Sequence, residues 1–190
     1  MGRRQPAVRA PSTPPPAVDR DAEAPESPGF IGSAVDRRDM ALIDTAFSML
    51  HVLFAGIWSG TTVFYAWRIH PLLSEGEIDA TSAMSITTGL RWLTRIGAVV
   101  FVVTGGHMAG TGYGDGRLFN DPMGHAVLGM LTLWLVVTGL LEMAIGKMQP
   151  HLGDGRIQTA GRETETFIKV AATFSVVLLL LGGYLSQPLV

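Results

Sequence analysis

Apolar positions dominate four stretches of the chain, about 41–67, 92–109, 124–146 and 167–186, while polar positions crowd the first 39 residues. Each stretch has about 18–27 residues, and a helix needs roughly 20 to cross a bilayer core. Four helices this apolar would leave a soluble bundle almost without a polar face. The pattern predicts an all-α fold, an integral membrane four-helix bundle over residues 40–190 preceded by a disordered tail over 1–39. Pro71, Pro122, Pro150 and Pro188 fall in predicted loops or at helix ends, where a missing N–H costs little. Gly56 and Gly60 form a small-xxx-small face on the first helix, of the kind that lets membrane helices pack closely.

Composition sharpens the division. Asp, Glu, Lys and Arg together number 30 (16 acids and 14 bases), and 12 of them stand in the first 39 positions with seven of the 11 prolines. The tail balances six arginines with six acids around a Pro-Pro-Pro run. It cannot bury enough apolar surface to offset its chain entropy, so disorder is expected. No apolar stretch follows its basic start, and Pro6 stands where a myristoylation motif has Ser or Thr, so neither a signal peptide nor a lipid anchor is predicted. A net charge of −2 argues against nucleic acid as a partner; the expected partner is the lipid bilayer. The chain has no cysteine, which excludes disulfides, thiolate metal sites, iron–sulfur clusters and covalently attached haem.

Basic residues near the spans give an orientation. Arg68, Arg91 and Arg95 flank the first loop and Lys147, Arg156, Arg162 and Lys169 the third, against Arg37, Arg38 and Arg117 on the other side. The positive-inside rule then puts both termini outside the cytoplasm, although counting the whole tail makes the two sides equal.

The candidate chemistry lies in polar groups inside the spans, where ionisable side chains are costly and mark function. Asp44, His51 and Trp58 are spaced by seven and fall on one stripe of the first helix. His51 lies roughly 15 Å deep, while His107 and His125 are expected at similar depth near the outer ends of the second and third helices. Met49, Met108 and Met123 stand close to these three histidines in sequence. Imidazole suits copper and thioether selects Cu(I), so His51, His107, His125, Met108 and Met123 are candidate metal ligands. The same histidines, His107 and His125 above all, are alternatively axial ligands to a b-type haem. A third reading makes them packing groups of a structural subunit. Glu142 and Lys169 are expected to snorkel rather than pair, Arg91 and Arg95 to anchor at the interface, and His70 and His151 to be solvated in loops. The Gly110–Gly116 loop has no Gly-Lys-Ser/Thr after it and is not a phosphate cradle. No hydrolytic triad or His-Glu-x-x-His is present, so an enzyme is the less favoured class.

The first helix reads Leu50-His51, Trp58-Ser59-Gly60, Phe64 and then Pro71. A His followed by Trp-x-Gly, an aromatic and a Pro resembles the opening of the copper resistance protein D (CopD) family of polytopic membrane proteins. The resemblance implies a role in copper transport or copper tolerance and singles out His51. A related haem-binding protoporphyrinogen oxidase group has a similar first-helix His and is expected to carry a functional Lys in a later helix. Here Lys147 and Lys169 stand at the ends of the predicted helices.

Overall fold

A computed structural model describes the backbone of residues 30–186 and the side chains from residue 36 onward. Most of the predicted tail and Pro188 lie outside the described residues. Every described element is helical: α1 (Phe30–Phe64), a π-helical segment (Tyr65–Ile69), α2 (His70–Glu75), α3 (Ala80–Gly112), α4 (Arg117–Asn120), α5 (Pro122–Gly153) and α6 (Ile157–Leu185). Four rods are long and apolar enough to cross a membrane: Asp36–Glu75, Ala80–Gly112, Pro122–Gly153 and Ile157–Leu185, with mean hydropathy from 1.4 to 1.9.

The rods run well beyond the apolar stretches. Residues 30–39 belong to α1, and most of 68–91 is helical, because α2 and the start of α3 occupy it. Pro71 and Pro150 therefore stand inside helical rods rather than in loops. A proline at 71 cannot donate to the carbonyl four residues back. The π-helical segment ends two residues before it, so the hydrogen-bond register changes where that donor is missing. The turn into α3 is made by Gly76, whose φ of +74° suits a residue without a Cβ. Asp79 caps α3 by accepting from the Ser82 N–H at 2.9 Å, and Asp121 caps α5 by accepting from the Met123 N–H at 3.0 Å.

The core is written in a four–three alternation. On α3 the buried positions are Ala83, Thr87, Leu90, Thr94, Gly97, Phe101 and Thr104. On α6 they include Gly161, Thr164, Ile168, Ala171, Ser175 and Leu178. This spacing keeps one seam facing a neighbour along the rod. α5 packs against both α3 and α6, and α2 packs against α6. The α2–α6 approach is close: a Cβ on Gly161 would lie 2.6 Å from the Ser74 backbone nitrogen. The outside is apolar instead, with Leu42, Val52, Trp67, Val99 and Leu180 exposed. Such a surface suits hydrocarbon as its solvent, since a helix satisfies most of its backbone groups within its own rod.

Candidate functional site

The seven-residue stripe of α1 continues to a fourth member, Tyr65, and all four side chains reach α3. Asp44 accepts from His107 Nε2 at 2.8 Å. His51 Nδ1 lies 2.7 Å from Thr104 Oγ1. Trp58 Nε1 donates to Thr94 Oγ1 at 3.4 Å. Tyr65 Oη lies 3.0 Å from Thr87 Oγ1 and 3.5 Å from the Met148 sulfur. The α1–α3 interface is thus a ladder of polar side chains along one heptad seam, built on threonines at 87, 94 and 104.

His51 is the best-defined rung. Its ring meets Phe101 edge-on, with centroids 5.2 Å apart, and Phe101 in turn meets Trp58 and Trp134. A Cβ on Gly105 would lie 3.3 Å from its Cε1, so the absence of a side chain there leaves room for the ring. The Thr104 hydroxyl donates to the Val100 carbonyl at 2.7 Å. Its single proton is therefore spent, and it accepts from His51. The neutral ring is accordingly the Nδ1–H tautomer, with a lone pair on Nε2.

The same reasoning fixes the other two histidines. Asp44 is a carboxylate and only accepts, so neutral His107 carries its proton on Nε2 and its lone pair on Nδ1. Its ring stacks on Phe47 at 4.2 Å. His125 Nε2 donates to the Phe119 carbonyl at 2.8 Å, leaving its lone pair on Nδ1 too. None of these three lone-pair nitrogens makes a hydrogen bond among the described residues.

His51 and His107 share the α1–α3 seam, whereas His125 is anchored within the α4–α5 turn, and among the described residues no hydrogen bond joins it to either. Among the described residues no three His, Asp or Glu side chains converge as a metal-binding group. Met108 and Met123 are half-buried, and Met49 points outward. The two histidines of the expected haem pair have different partners, His107 bonding Asp44 and His125 the Phe119 carbonyl.

Three expectations are corrected. His70 is buried rather than solvated, with Nε2 3.4 Å from Thr164 Oγ1, because the rod continues through Pro71 and turns it against α6. His151 lies on α5 and meets Glu163 at 3.2 Å. Glu142 pairs with Arg91 and Arg95 of α3, and Lys169 with Glu165 one turn away on its own helix. Sequence reasoning missed Thr104 and the Asp44–His107 pair. The available signal was the recurrence of Thr87, Thr94 and Thr104 at spacings of seven and ten, which keeps them on one seam of α3. Comparison with protein-family models, with characterised proteins and with solved structures finds no match to this chain.

Proposed function

We propose that the chain is a CopD-like integral membrane protein that handles copper, in transport or in tolerance, with the metal as cargo. In this reading His51 is the central ligand within the bilayer. His107 and His125, with Met108 and Met123, form the outer mouth, and both termini lie outside the cytoplasm in accord with the basic residues flanking the first and third loops.

The observation that supports this most is the state of the three imidazoles. Each has one nitrogen held by an oxygen acceptor, Thr104, Asp44 or Phe119, and the other left as a lone pair. Metal-ligating histidines are oriented this way, since a donor bond on the far nitrogen fixes the tautomer and aims the ring. Imidazole and thioether together suit copper in its softer oxidation state.

Copper titration of the purified protein, with elemental analysis and an absorption spectrum, tests the reading. Stoichiometric copper without a Soret band is expected. His51→Ala and His51→Gln should both insert yet lose that copper, since an amide keeps a hydrogen bond but is a poor ligand. Full copper retention by His51→Gln would make His51 a packing group. A Soret band would move the protein to the haem-b alternative, and neither metal nor haem would leave a structural membrane subunit.

A further inference from the structure

A second polar group lies on a neighbouring face of α3, beside the histidine ladder and against α5. Arg95 grips Glu142 in a fork, Nε to Oε1 at 3.0 Å and Nη2 to Oε2 at 3.2 Å. Both carboxylate oxygens are thereby occupied. Arg91 donates through Nη1 to Gln149. Its Nε stands 3.4 Å from Glu142 Oε2 but is buried without a hydrogen bond. Two guanidinium groups thus share one carboxylate, and the cluster keeps one unit of positive charge. Arg91 Nη2 and Arg95 Nη1 make no hydrogen bond among the described residues, and Arg95 is half-exposed.

The depth of this charge is set by helix geometry. α3 has 33 residues and is about 50 Å long, against a hydrocarbon core of about 30 Å. With the overhang shared equally, about 10 Å of helix stands outside the core at each end. Arg91 lies eleven residues into α3 and Glu142 eleven residues before the end of α5, each about 16 Å along its rod. The charge therefore sits about one turn inside the headgroup boundary. Trp92, beside Arg91, is 60 % exposed, as suits an aromatic ring at that boundary. Deeper on α3, Val99, one turn beyond Arg95, is exposed, as is Ile96. On α5, three residues deeper than Glu142, Gly139 has nothing within 4 Å of where a Cβ would stand.

We infer that this α3–α5 surface binds one anionic phospholipid of its leaflet. The phosphodiester accepts from the free donors of Arg91 and Arg95, and an acyl chain runs over the exposed Val99 and the open space at Gly139. A fork of guanidinium donors matches phosphate geometry, and basic pockets between membrane helices take anionic headgroups. The net positive charge, the unspent donors and the exposed apolar surface beneath them all call for a ligand that is anionic at one end and hydrocarbon below. Free phosphate meets only the first requirement. The inference needs the four membrane rods but does not depend on copper.

The test is native mass spectrometry of the full chain after exchange into equimolar phosphatidylglycerol and phosphatidylcholine. The wild type should retain phosphatidylglycerol in preference. Arg91→Gln and Arg95→Gln should each lower that retention roughly tenfold, the factor one charge-assisted hydrogen bond supplies. Glu142→Gln, which removes the competing carboxylate, should retain at least as much lipid as the wild type. Arg95 is the more exposed of the two, so its variant keeps the test open should Arg91→Gln fail to fold. Wild-type retention by a folded Arg95→Gln would overturn the inference. Displacement of the bound lipid by inorganic phosphate alone would overturn it as well, by making the site one for a free anion.

Discussion

Single atoms decide the most here where two helices nearly touch. Gly161 on α6 faces Ser74 so closely that a Cβ would fall 2.6 Å from the backbone nitrogen and 2.7 Å from the Cα. Backbone atoms cannot swing aside as a side-chain tip does, so the whole of α2 would have to move. Gly161→Ala should therefore destabilise the protein by about 1–3 kcal/mol, the usual cost of overpacking. Gly89 on α3 has nothing within 4 Å of the same position. Gly89→Ala should be neutral or stabilising, since alanine is favoured over glycine in a helix by up to about 1 kcal/mol. Thermal unfolding of the two variants in one detergent checks the contrast, and equal midpoints would contradict it. At the same scale Thr104 is decisive for His51: its proton goes to Val100, and that choice sets the imidazole tautomer.

At the scale of elements, the start of α3 offers a pH handle outside the rods. Asp79 is held below the ordinary carboxylate range, chiefly by its side-chain hydrogen bond with Ser82 and then by the Ser82 backbone N–H. A folded-state pKa below the unfolded one means that the cap stabilises above the unfolded pKa. That contribution is lost as pH falls through the depressed folded value. Asp79→Asn keeps a capping oxygen but does not titrate. The wild type should therefore lose thermal stability relative to Asp79→Asn on acidification, and parallel curves for the two proteins would contradict this. The π-helical segment also belongs to this scale. It joins α1 and α2 into one rod, so that His70 is carried into the core against Thr164 instead of out into a loop.

At the scale of the whole molecule, α3 carries polar chemistry on two of its faces. One face meets α1 through the histidine and threonine ladder, and the other meets α5 through the two arginines and Glu142. An outward orientation of both termini would set the Arg91–Glu142 cluster in the cytoplasmic leaflet and the Asp44–His107 pair in the outer one. Epitope tags at the N-terminus and in the turn around Arg156 test it in intact cells. The N-terminal tag should be accessible from outside and the Arg156 tag protected. The reverse result would invert the orientation and place the proposed outer mouth inside.

Four membrane-length helices were legible in the sequence, because apolar composition over about 20 residues is a property of the local chain and needs no neighbour to be read. The stripe through His51 was legible for the same reason, since a seven-residue spacing returns to nearly the same side of a helix. The need for His51 to find its partner on another helix also followed from the rise per residue, and Thr104 is that partner. Which residue it would be did not follow. The pairing depends on how far α3 is shifted along α1, and that shift is set by side chains meeting across the seam. Glu142 was expected to snorkel alone, yet it meets two arginines 47 and 51 residues away in sequence, because α3 and α5 are antiparallel neighbours at that level. His70 and Pro71 read as a loop because a proline and a run of polar residues end a helix by local rules. Packing of α2 against α6, and the register change before Pro71, kept the helix going. Local composition thus determined what the chain could cross, while packing alone decided which polar groups face one another.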